Sequence, residues 1–580
     1  MAKKALTETQ PDQAAGRGFW IAVGLLSVLL GVVLSREITR PFYGLHAWAD
    51  ASVAWRARTV LKYPLSYTKG LPVWAVGDPP RDNPNRSLNH PPLSMTTWAL
   101  QMAILGGTSE WSLRTWRLIW SIVSLVLLMR LLRHLIGEKA AILAGLIFVL
   151  LPLVGYFGTG GRILALQLWA IWCYLVLIGA LEGGPKPRAI HKWGLAVALF
   201  LGIQLNWGGV AAALAIGLHY LGHCIWRRHW PDWGLLAFIA VPPLVSLAVT
   251  FTVMLTGFGW DAQKILDLYA WRGGKGEERE FLWGNWLAKF WEFALTNFTR
   301  PVLMAAIAYV LFAPLKARLY QTEKGRNRTR WYFPGLGILL LPGVLLLLIF
   351  RGGLWRHQYW EALLAPFVAI AAAGAVVLLW EVIGLKNRLA ANIVCVAIVA
   401  VMAAFCVMGT NHYYYLRWQA PAKIEMFKRI NQRIAPNQRL LSFESFTTKQ
   451  HEVKGAHYRP EVAYYLDREI EQAHQFDDIR RLARTGRFPV YLMPGPAPWH
   501  PTELRQYLVA LHRELAKHYP FQHVPGVNYE VGSAEELLGG KKRKEVLRYG
   551  MSQYFLFDLT RPKSATAPPG GSPRPPAGSR

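Results

Sequence analysis

Asp50 is the one acid in the stretch GLHAWADASVAWRARTVLKYPLSYTKG (Gly44–Gly70), where it stands among His46 and the cations Arg56, Arg58, Lys62 and Lys69. Positive neighbours favour the ionised carboxylate. Such a carboxylate can take the proton of an attacking hydroxyl as a general base, while the cations draw in an anion, a phosphate above all. Two other readings remain open: an ordinary loop acid paired with Arg56 or Arg58, or a ligand for a divalent metal held by that phosphate. Further along, NHPPL (Asn89–Leu93) places His90 before two prolines, Pro91 and Pro92, that suit a helix start. His90 either caps that turn or touches a phosphate or sugar. More cations follow in three places: Arg162 after GTGG, Arg272 and Lys275 in a Gly-rich segment, and Arg356 in RGGLWRHQYWEALLAPF, which also carries Arg351, His357 and Tyr359. Snorkelling accounts for any one interfacial arginine. Gathered on one membrane face, the set would serve a lipid phosphate or anionic headgroups.

The elements that must position these residues are membrane spans. Of 580 residues, 53% are hydrophobic and 17% charged, with mean hydropathy +0.20; soluble chains carry about 25% charged residues. Apolar runs of roughly 17–23 residues recur, the length that crosses a hydrocarbon core of about 30 Å. They fall near 19–34, 117–133, 140–157, 163–181, 193–206, 208–226, 233–256, 301–315, 333–350, 361–382 and 389–409. The short run 93–107 reads as a re-entrant or juxtamembrane helix. With that run not crossing, the basic turns (Arg130, Arg133 and Lys139; Lys186, Arg188 and Lys192; Arg227 and Arg228; 316–330; 386–388) all face the cytoplasm, as the positive-inside rule requires. The same rule absorbs most of the net charge of +29, so nucleic acid is not implied. Four cysteines, Cys173, Cys224, Cys395 and Cys406, sit inside apolar runs and offer neither zinc spacing nor disulfides.

The expected organisation is a cytoplasmic segment 1–18 and a membrane domain 19–410 of about eleven spans. A first external loop covers 36–92 and a second about 257–300, whose Trp-rich part suits the headgroup level. Beyond it, short β-like runs alternate with amphipathic helices over 411–562, an α/β extramembrane domain on the outer side. The tail 563–580 is rich in Pro, Gly and Ser.

The order of one span, an early acid in HAWADASVAWRARTVLKY, then HPPL, then SEWSLRTWRLIWSIVSLVLLMRLLRHLIG and RHQYWEALLAPFVAIAAAGA resembles the GT-C glycosyltransferases. Specifically, it is similar to the bacterial relatives of protein O-mannosyltransferase and lipid A aminoarabinose transferase, and the resemblance covers about 36–380. AYYLDRE (463–469) is similar to the outer domain of many bacterial members. The resemblance implies a multi-pass enzyme of the plasma (inner) membrane that inverts a sugar taken from a polyprenyl-phosphate carrier. The acceptor is a lipid, glycan or protein hydroxyl on the non-cytoplasmic face. The first-loop acid, the expected base or metal-linked acid, carries over to Asp50. Where relatives have a further acid, this chain reads GRILALQLWA with Leu166 and Gln167, and Ala51 stands where a second acid often follows the first. Both departures weaken the metal reading and leave a divergent or inactive member as an alternative. A flippase of lipid-linked sugar would call for paired halves with broken helices, and no inverted repeat is apparent; a non-catalytic scaffold is the third reading.

Overall fold

A computed structural model of the chain describes residues 16–42, 46–78, 85–158, 161–182, 186–272, 283–319, 323–417, 421–435, 438–444, 447–449, 456–496, 501–524 and 554–563. The expected tail 563–580 therefore lies almost wholly outside the described residues. Two compact units form. One comprises Met1–Arg40, Arg56–Val73 and Arg86–Tyr415; the other comprises Pro41–Trp55, Trp74–Asn85 and Leu416–Arg580.

The first unit is helical. Seven helices are long and apolar enough to cross a membrane: Arg17–Ser35, Glu110–Ile136, Arg162–Leu181, Gly208–Arg227, Trp233–Gly257, Gln358–Gly384 and Arg388–Tyr414. An eighth is reached if Trp283–Phe298 and Arg300–Phe312, bent by 108° at their junction, count as one broken span. The chain is an integral, multi-pass membrane protein. Arg162–Leu181 and Gln358–Gly384 are 67% buried over their apolar windows, against 22% for Arg17–Ser35 and Arg388–Tyr414, so the former pair is central and the latter pair peripheral.

Expected and observed spans differ where local chemistry interrupts a helix. The run 140–157 divides into Glu138–Leu150 and Pro152–Phe157. Leu151, forced out of the α region by the proline behind it, adopts φ −52°, ψ 131°. The runs near 193–206 and 333–350 appear as the shorter apolar helices Ala189–Leu205 and Leu336–Ile349. The run 93–107 is the 13-residue helix Pro92–Ile104, with proline in its first turn, too short to cross. Eleven crossings were expected, and seven or eight qualify by length and composition among the described residues. Ala189–Leu205 and Gly208–Arg227 approach backbone to backbone: a Cβ on Gly209 would stand 2.2 Å from the carbonyl carbon of Gly202, so no other residue fits there.

The second unit holds a five-stranded sheet, ordered Ile470–Gln472, Leu440–Ser442, Val490–Pro494, Tyr554–Asp558 and Phe521–Val524. Leu440–Ser442 runs parallel to both neighbours, and Tyr554–Asp558 antiparallel to both of its own. The register sets Leu441 beside Tyr491 and Tyr491 beside Phe557. These three pack with Ile479, Leu508, Leu511 and Leu515, from the helices Phe476–Arg484 and Thr502–His518, into one core. The segment Tyr464–Arg468 ties this unit to its two loop pieces. The Phe42 N–H donates to the Tyr465 hydroxyl (2.7 Å), and the Phe42 ring meets Tyr464 edge-on at 5.0 Å. The Gly77 N–H donates to the Asp467 carbonyl at 3.1 Å and to its carboxylate at 3.3 Å. Arg468, almost wholly buried, donates to the carbonyls of Ala435 and Gln438, both at 3.0 Å, and to the Asn431 side chain at 2.5 Å.

Candidate active site

Asp50 lies in the first turn of the helix Ala47–Lys62 and is half-buried. A carboxylate there gains from the unpaired N–H groups and positive end of the helix. His46, just ahead of that helix, has φ 54°, a left-handed conformation uncommon outside glycine. Burial pushes its pKa down to about 4, although the neighbouring Asp50 pulls the other way. Beside Asp50, burial thus favours the neutral imidazole, which keeps one ring N–H donor for a phosphate. Downstream, Trp55 is fully buried; its Nε1–H donates to the Ala75 carbonyl at 2.8 Å and its ring meets Trp74 at 5.2 Å.

In the first unit, the expected cations divide by task. Arg56 is almost wholly buried and donates to the Ser87 hydroxyl at 3.2 Å. Arg58 reaches the Thr108 hydroxyl at 3.2 Å, and Lys62 lies 5.3 Å over the Tyr63 ring. Lys69 is exposed in the left-handed residue that ends Leu65–Thr68. The Arg162 guanidinium, 4% exposed, donates to the Thr97 hydroxyl and to the Ser94 carbonyl (2.9 Å), and sits 4.5 Å over the Trp98 ring. All three partners belong to Pro92–Ile104, so Arg162 fastens that helix. His90 is half-buried beside Asn89, whose carbonyl accepts from Trp207 Nε1 at 3.1 Å. His357 and Tyr359 stack at 5.2 Å with 9° between planes, and Tyr359 meets Phe157 at 5.7 Å. Arg351 lies 5.6 Å over the Trp283 ring. Lys275 and the side chains of Arg272 and Arg356 fall outside the described residues.

Sequence reasoning passed over a buried polar knot in the same unit. Glu361 is fully buried in the apolar span, and its Oε2 accepts from Asn297 Nδ2 at 2.9 Å. The same Nδ2 donates to the Gln358 carbonyl at 2.9 Å, and Tyr413 donates to Asn297 Oδ1 at 2.8 Å. An acid inside an apolar span is a signal in its own right; the search for cations in RHQYWEALLAPF hid it. Gln167, where relatives would show an acid, is 2% exposed, and neither of its amide atoms has a hydrogen-bond partner among the described residues. Among those residues no three His, Cys, Asp or Glu side chains gather as a metal cage would require. A divalent ion shared with a lipid phosphate needs only one or two carboxylates, and Asp50 would supply one.

The comparisons with known proteins agree with this architecture. The family model described as dolichyl-phosphate-mannose-protein mannosyltransferase matches residues 89–255. No curated protein matches the chain. Among solved structures, it is similar to ArnT from Cupriavidus metallidurans bound to undecaprenyl phosphate, with TM-score 0.55 and 14% identity over 94% of this chain and 98% of that one. The apo state of the same protein gives TM-score 0.53 over the same shares. The chain thus has the GT-C fold of polytopic membrane glycosyltransferases. The family model covers residues 89–255 of the chain, and the likeness to ArnT, at 14% identity, is one of fold.

Proposed function

We propose that this protein is an inverting GT-C glycosyltransferase that moves a sugar from a polyprenyl-phosphate carrier to an acceptor hydroxyl on the non-cytoplasmic face of the plasma membrane. The likeness to a fold solved with undecaprenyl phosphate, end to end in both chains, is the observation that carries the reading. In the proposed step, the acceptor oxygen attacks the anomeric carbon, the carbon–oxygen bond to phosphate breaks, and polyprenyl phosphate leaves with the electron pair. Asp50 takes the acceptor proton. Its place in the first turn of a helix supports that role, because the helix end favours the ionised base. Positive charge near the departing phosphate would stabilise the charge that develops there. Arg58, Lys62 and Lys69 are proposed for this task, as are Arg272, Lys275 and Arg356, while His90, His357 and Tyr359 supply polar and aromatic contacts.

The test is incubation of the purified protein with assorted polyprenyl-phosphate sugars while release of the free carrier is followed. Wild type should release it. Asp50→Asn keeps shape and loses the base, and should lower turnover by about 10²–10⁴-fold with its melting temperature unchanged. Full turnover in that variant removes Asp50 from the chemistry.

A further inference from the structure

We infer that Tyr464–Asp467 is a positioning clamp for the turn that carries Asp50, so that Tyr465 and Asp467 serve the reaction without touching substrate. The inference rests on the proposed role of Asp50; its structural half stands apart from that role. Asp50 has an anchor on either side, and both lead back to the same four residues. Upstream, Phe42 is fully buried, with its N–H on the Tyr465 hydroxyl at 2.7 Å and its ring against Tyr464. Downstream, Trp55 is fixed by the Ala75 carbonyl at 2.8 Å, and two residues beyond Ala75 the Gly77 N–H is held by the carbonyl and one carboxylate oxygen of Asp467.

The clamp is itself held stiffly. Asp467 has φ 44°, a left-handed conformation that a non-glycine residue keeps only when its surroundings fix it. The Tyr465 carbonyl accepts from Asn431, and Asn431 in turn accepts from the buried Arg468. A general base acts only when it is held within hydrogen-bond reach of the proton it removes, and a displacement of about 1 Å costs on the order of 10²-fold in rate. A motif lying more than four hundred residues from Asp50 in sequence thereby sets where its carboxylate sits.

Tyr465→Phe removes the hydroxyl acceptor while keeping the ring. In the purified full chain, hydrogen–deuterium exchange at the Phe42 amide and across 47–55 should rise by about tenfold, the opening expected for loss of one buried hydrogen bond. Turnover should fall about 10- to 100-fold, with the KM for a polyprenyl-phosphate sugar changed less than about twofold, since binding is not what the clamp sets. Asp467→Ala, which removes only the carboxylate acceptor, should move the same amides near Gly77. Tyr491→Phe loses a comparable buried bond, to the Ala473 carbonyl at 3.0 Å, in the same unit; it should leave both readouts at wild-type values. Unchanged exchange at Phe42 in Tyr465→Phe overturns the clamp whatever the activity. Raised exchange with wild-type turnover, where Asp50→Asn is inactive, overturns its role in the reaction. Wild-type turnover in Asp50→Asn instead brings down the reading of Asp50, and the exchange data still decide whether the clamp exists.

Discussion

Protonating His46 means placing a cation where burial already holds the imidazole pKa down to about 4, with Asp50 opposing only in part. In the unfolded chain the same group titrates near 6.5. Between those two values the unfolded chain binds the proton and the folded chain does not, so stability rises with pH through the window. It is fully present above about 6.5 and is lost as pH falls toward about 4. The whole difference is about 3 kcal/mol. His46→Gln keeps a polar side chain of similar reach and removes the titration. Melting temperatures of the two proteins should therefore run closely parallel above pH 7 and separate below pH 6, with wild type falling more steeply. Parallel curves down to pH 4.5 would show that His46 is not the group held neutral. Asp50 was legible as a site candidate from residue type and neighbours. The neutrality of His46 was not, because burial is a property of the fold and the sequence shows only its cationic neighbours.

Among the elements, the corner between Trp283–Phe298 and Arg300–Leu319 combines a left-handed residue with a buried polar junction. Thr299, between the two helices, has φ 64°, and its hydroxyl lies 3.8 Å from the Cys406 sulfur. Asn297 uses both ends of its amide there, donating to the Gln358 carbonyl and Glu361 and accepting from Tyr413. One side chain thus joins the bend to the 3-10 turn Gln358–Leu364, which follows His357 and contains Tyr359, and to the helix Arg388–Arg417. Asn297→Ala leaves the Glu361 carboxyl and the Tyr413 hydroxyl buried without that partner, at a cost of about 3 kcal/mol. The expected outcome is a clear drop in melting temperature in detergent. Tyr413→Phe, which removes only one of the bonds, should cost about 1 kcal/mol. Equal losses in both variants would show that Asn297 is not the junction. Hydropathy made the spans readable because each depends on twenty or so neighbouring residues. Neither the bend nor the knot could be read that way: each is set by partners sixty to more than a hundred residues apart, and Asn297 looks unexceptional within its own run. The division of 140–157 was readable in principle, since Pro152 stands in its middle.

On the scale of the whole chain, the α/β pattern after His412 was evident from short strand-like runs between amphipathic helices. Its reach into the first loop was not. Pro41–Trp55 and Trp74–Asn85 pack with Leu416–Arg580, and the bond from Phe42 to Tyr465 spans 423 positions. Local patterning carries no trace of such a pairing, although AYYLDRE was conspicuous enough to be noted. Physical consequences follow for a chain cut after Tyr415. All seven qualifying spans lie before the cut, so insertion into the membrane should survive. Phe42, fully buried, would lose Tyr464 and Tyr465, and Gly77 would lose both of its acceptors. Exposing a buried Phe side chain costs about 1.5–3 kcal/mol, enough to free a short loop segment from its folded position. Limited proteolysis of the truncated protein in detergent should therefore cut first between residues 41 and 85, at sites resistant in the full chain, while Arg162–Leu181 stays protected. Equal resistance of that loop in both proteins would mean that the membrane unit holds it unaided. The candidate base would then owe its position to the spans and not to the sheet that follows them.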